Sequence, residues 1–179
     1  MEAFNDRESK GEKTMNQDAT LQGGGAEGIL RRYAAMPLRL IVGYGFVAHG
    51  MAKWSKGPDA FAAILDAAHV PAAHMMAWLT ILTEVFGGLA ILCGAFVLWV
   101  SLPAIVLLIV AIVTVHLPYG FASIKLMKIV DGRAQFGPPG YECDLLYIAC
   151  IVTLVLAGPS PWSVDAYRLG LRNERGALG

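Results

Sequence analysis

From Val70 to Ile124 the only formally charged side chain is Glu84. A soluble domain must show water a polar surface, and so long a charge-poor run leaves none, whereas a membrane-spanning helix needs about 20 consecutive apolar residues. The run holds two such helices and the turn between them. Composition agrees, since 56% of the 179 residues are hydrophobic and 16% charged, against about 25% charged in an ordinary soluble domain. The chain is therefore expected to be an integral membrane protein in contact with the lipid bilayer. Fourteen basic and fourteen acidic residues cancel, so no net field recruits nucleic acid, and no nucleic-acid partner is expected.

The expected fold is all-α, a transmembrane four-helix bundle over residues 36–158. Its spans run over about 37–54, 72–93, 97–117 and 141–157. Pro37 suits a first helical turn, Pro118 stops the third span, and Gly158-Pro159-Ser160-Pro161 stops the fourth. Residues 1–35 read as a polar disordered tail ending in a short interfacial segment, and 159–179 as a cytoplasmic tail. The apolar runs are too long and too weakly alternating for barrel strands, so strands are not expected. Arg31, Arg32 and Arg39 flank the start of the first span and Arg168, Arg172 and Arg175 follow the fourth. The loops between carry Lys53, Lys56, Lys125, Lys128 and Arg133. That bias favours both termini in the cytoplasm.

An ionisable group inside hydrocarbon is costly and is read first as functional. Glu84 is the strongest candidate; the plainer reading is a protonated carboxyl acting as an interhelical hydrogen-bond donor. Gly87 and Gly88 lie one turn on, where missing side chains let a backbone or a ligand approach. His49 and Lys53, four apart, share one helical face at the end of the first span. His116 ends the third span and Glu142 opens the fourth, so topology puts all of them in the extracytoplasmic half. A quinone suits such a set, because it needs hydrogen-bond partners at two carbonyls and groups that move protons. A small anion would be drawn to Lys53 and a protonated His. Haem or a metal would use His49 and His116, but two His without a third ligand is a weak metal signal, and no metal site is expected.

Cys93, Cys143 and Cys150 are odd in number and contain no Cys-x-x-Cys pair. That excludes the thiol-oxidising mechanism that passes electrons through such a pair. Nucleotide loops, the Gly-x-Ser-x-Gly elbow and the His-Glu-x-x-His zinc motif are missing too. Any redox chemistry must then use an external cofactor or partner.

The stretch from Arg39 to Lys53, with Gly43, Phe46, His49 and Gly50 inside it, resembles the first-helix signature of the DoxX family of small bacterial membrane proteins. Thr83 to Gly94, with Glu84 followed by Gly87-Gly88, is similar to its second-helix segment. His116, Glu142 and the ending from Gly158 to Asp165 fit its later landmarks. The resemblance spans about Pro37 to Tyr167 and implies a four-helix bundle in the bacterial inner membrane. Relatives include the membrane subunit of thiosulfate:quinone oxidoreductase.

The leading expectation is a membrane subunit of a quinone-linked oxidoreductase. Glu84, His49 and His116 would handle protons, and Lys53, Glu142, Gly87 and Gly88 would line the cofactor site. A soluble or membrane redox partner would be needed, and a homo-oligomer is a further expectation. One rival reading is a non-catalytic anchor or assembly factor, with Glu84 and Lys53 locking two helices together. Another is a small-solute permease, for which four short spans leave little room.

Overall fold

The computed structural model describes residue 30 and residues 33–176, so the tail expected over 1–35 lies almost wholly outside the described residues. Helix α1 spans Met36–Lys56 and opens on Pro37. Its buried positions are Arg39, Val42, Gly43, Gly45, Phe46 and Gly50, a stripe at steps of three and four. Gly57, at φ 96°, ends it. A short helix α2, Pro58–Ala67, follows where only a loop is expected from the sequence. Proline at its first turn and Asp59 beside it explain the start. Ala62 and Leu65 then bury it against Ala77 of the next helix.

Helix α3 runs Ala73–Cys93 and α4 runs Val97–Tyr119, and both are long and apolar enough to cross a membrane. Gly94, at φ 62°, and Phe96, at φ 51°, make the turn between them. Each of these helices contains one π turn, Thr83–Gly87 in α3 and Ile112–His116 in α4. Helix α5 is Glu142–Ala157, and α6 is Val164–Gly176. One apolar cluster joins Val42 and Phe46 of α1, Ile91 of α3, Ala104 and Leu108 of α4, and Ile151 and Leu154 of α5.

Only 17% of the apolar window of α4 is buried inside the protein. The core helix of a soluble protein would be mostly covered, so this helix needs an apolar solvent on its outer face. The other two expected spans fall short of α3 and α4 as membrane segments for different reasons. Helix α1 has 21 residues but carries Arg39, Lys53 and Lys56, and α5 has only 16 residues.

The all-α expectation needs one correction. Strands β1, Leu126–Val130, and β2, Arg133–Phe136, pair antiparallel between α4 and α5. The turn is Asp131-Gly132, both with positive φ, which is the two-residue conformation that matches the twist of flanking strands. Every strand residue is exposed, so the hairpin rests on its turn and ladder rather than on a buried face. That is why hydropathy patterning gives no sign of it.

Candidate functional site

Glu84 is buried at 5% exposure in the first positions of the α3 π turn. Its two oxygens accept hydrogen bonds from the Lys53 ammonium at 2.5 and 2.6 Å. Lys53 reaches it from the last turn of α1 because the two helices nearly touch. A Cβ on Gly50 would stand 2.7 Å from Val85 Cγ2 and 3.0 Å from Val85 N. Further along, a Cβ on Gly88 would stand 2.8 Å from both Gly43 O and Val47 N. Small residues at such a crossing bring backbones together where larger ones would hold them apart. The contact pairs two charges in apolar surroundings, which Glu84 alone could not occupy cheaply.

The two neighbouring glycines do different work. Gly88 is pressed on α1, whereas a Cβ on Gly87 would meet no atom within 4 Å among the described residues. Room is therefore left one turn from Glu84. Lys53 is covered on another side by Phe61 of α2, with its ammonium 5.3 Å from the ring centre. His49 lies one turn before Lys53, exposed and within electrostatic reach of Glu84.

His116 and Glu142 bond to other partners. The His116 Nδ1 meets Asp144 Oδ2 at 2.5 Å, fastening the π turn of α4 to the first turn of α5. Glu142 accepts the Ser123 N–H at 3.0 Å and so ties down the loop that leads into α5. The contacts place Glu84 and His116 in separate side-chain pairs, the Lys53–Glu84 ion pair between α1 and α3 and the His116–Asp144 hydrogen bond between α4 and α5. Asp144 is missing from the sequence-derived candidates, although a signal existed. Ile151 and Leu154 follow it at seven and ten residues, which puts all three on the buried stripe of α5. Glu142 is two residues, about 200°, away from that stripe.

Arg39 is the other residue whose role the flanking-charge count misses. It is 5% exposed inside α1 and donates to Ser160 Oγ at 2.7 Å and to Trp162 O at 3.3 Å. It follows the same three-and-four spacing as Val42, Phe46 and Gly50.

Residues 34–117 match the model of the DoxX family. This segment belongs to the DoxX family. The DoxX match takes in α1 to α4, with Lys53, Glu84 and His116, and stops before the hairpin and α5. No curated protein and no solved structure matches the chain. With the two apolar helices, the DoxX assignment makes this a membrane protein.

Proposed function

We propose that the chain is the membrane subunit of a quinone-linked oxidoreductase, with Glu84 as its proton-handling group. On this reading α1, α3, α4 and α5 form a four-helix transmembrane bundle in the bacterial cytoplasmic membrane. Both termini face the cytoplasm, and the site opens to the other side. The observation that carries the proposal is the Lys53–Glu84 pair, held inside the apolar helices beside the open space at Gly87. A pair used only as a clamp has no need of that space.

The residues present suit a quinone. An ammonium has three donors, and two are taken by Glu84, so one remains for a carbonyl oxygen. His49, exposed one turn away, offers a second donor or acceptor. A bound quinone would supply the electron and proton acceptor, with electrons arriving from a soluble or membrane partner. Glu84 takes up or releases the proton, so the charge of the pair changes by one with each transfer. Phe61 limits water at Lys53, which strengthens the pairing by lowering the local dielectric.

The test is purification of the full chain in mild detergent, lipid extraction, and a quinol-dependent absorbance assay. Co-purified quinone, with turnover lost in Glu84→Gln while the protein stays folded, supports the proposal. A folded protein with no quinone and no turnover, in which Glu84→Gln changes stability alone, assigns the pair to a non-catalytic anchor instead.

A further inference from the structure

A second site lies at the other end of α1, where a buried cation has no counter-charge among the described residues. Arg39 stands fourteen residues before Lys53, about 21 Å along the helix axis. Its guanidinium packs against Gly94, where a Cβ would stand 2.9 Å from Nη1. Nη1 and Nη2 donate to neutral oxygens of Ser160 and Trp162, and Nε is buried with no partner among the described residues. No described carboxylate comes within 4.0 Å of it. Asp165 is nearby in the fold but is engaged otherwise. Its two oxygens accept the Phe96 and Val97 N–H groups at 2.9 and 3.0 Å and cap α4, whose dipole balances the carboxylate.

Arg39 lines a cavity of about 550 Å³ between the α3–α4 turn and the segment after α5. Ser160, Ser163, Asp165 and Arg168 line it too, the Asp165 carboxylate being held by the α4 cap, and its remaining wall includes the apolar side chains of Leu98, Trp99 and Leu154. Arg168 lies over the Phe96 ring at 4.3 Å, on the rim of the same space. A buried guanidinium with no anion among the described residues is an expensive arrangement unless a ligand supplies one. Each Nη uses one of its two hydrogens on Ser160 or Trp162 and keeps one for a phosphate oxygen.

We propose that this cavity binds a phosphate group, supplied by an anionic lipid whose chain lies along Leu98 and Trp99. Arg39 sits in the first turn of α1, at the level where headgroups meet a spanning helix. The apolar wall is what favours a lipid over free phosphate. The site is separate from Glu84: it rests on the proposed reading of α1 as a membrane span and not on the quinone assignment.

The test follows the thermal midpoint of the full chain in maltoside detergent during titration with three probes. These are phosphatidylglycerol, phosphatidylcholine and inorganic phosphate. Phosphatidylglycerol is expected to raise the midpoint with half-saturation about tenfold below that of phosphatidylcholine, the size of one charge-assisted hydrogen bond. Arg39→Gln should remove that preference, and Arg168→Gln, on an exposed residue, should reduce it in a protein that folds normally. A shift given equally by inorganic phosphate supports the phosphate site and makes the free anion its occupant. Identical titrations with the two lipids and no effect of phosphate in the unmutated chain overturn the proposal.

Discussion

Glu84 and Lys53 each depend on the other for burial, so their single and double replacements should not add. Lys53→Met leaves a carboxylate in apolar surroundings, and Glu84→Gln leaves an ammonium facing an amide. Each is expected to cost about 3 kcal/mol, as for other broken buried pairs. The combined Lys53→Met, Glu84→Leu protein should regain most of the loss, read as thermal midpoints in one detergent. Additive losses would remove the pair from the list of stabilising contacts. The glycines beside it make a second contrast. Gly50→Val should destabilise by about 1–3 kcal/mol, because the added carbons overlap Val85. Gly87→Ala should stay within about 1 kcal/mol of the parent, since its methyl meets no atom of the described residues. A larger Gly87→Leu should keep the fold and abolish quinol-dependent turnover. At this scale the sequence was informative where one residue broke a pattern. Glu84 stands alone in a charge-poor stretch, whereas Arg39 and Asp144 stand close to other charges, which makes them look like the ends of spans. Their burial shows only when they are placed on the helical stripes of α1 and α5.

Both paired acceptors or bases on the long helices occupy π turns, Glu84 in α3 and His116 in α4. A π turn adds a residue to one turn and re-aims the side chains there, and such turns collect at functional positions. Hydropathy cannot reveal them, because the extra residue is as apolar as its neighbours. Helix α2 was hidden for another reason: ten residues between two longer apolar runs read as loop. The Asp131-Gly132 turn was visible as a dipeptide, but the flanking residues had no buried face to give a strand period. The α4–α5 fastening carries a test of its own. Asp144→Asn removes the charge from the bond to His116 and should cost about 1.5–3 kcal/mol. Glu142→Gln should cost clearly less, since an amide oxygen still accepts the Ser123 N–H. Chemical unfolding of the two variants side by side in one detergent decides it, and equal losses would contradict the assignment.

At the level of the whole molecule, the number of long helical segments was legible, but the direction in which the chain crosses the membrane was less so. The structure weakens the flanking-charge argument, because two of its cations are not free in loops. Arg39 is buried in α1, and Lys53 is paired with Glu84. What remains is Arg31, Arg32, Arg168, Arg172 and Arg175 on one side against Lys56, Lys125, Lys128 and Arg133 on the other. Five against four is a thin margin for a rule that counts cations. The proposed orientation still makes a definite statement, because the α3–α4 turn and the β1–β2 hairpin must lie on opposite faces if each long helix crosses once. Cys93, Cys143 and Cys150 are free thiols, so the measurement starts from a chain with all three replaced by serine. Gln135→Cys, on the exposed hairpin, should then react with a membrane-impermeant maleimide in intact cells. Ala95→Cys, in the α3–α4 turn, should react only after the cells are opened. The reverse pattern would turn the protein over, placing the Glu84 site toward the cytoplasm and the Arg39 cavity outside, and a redox partner would then have to be sought on the other side.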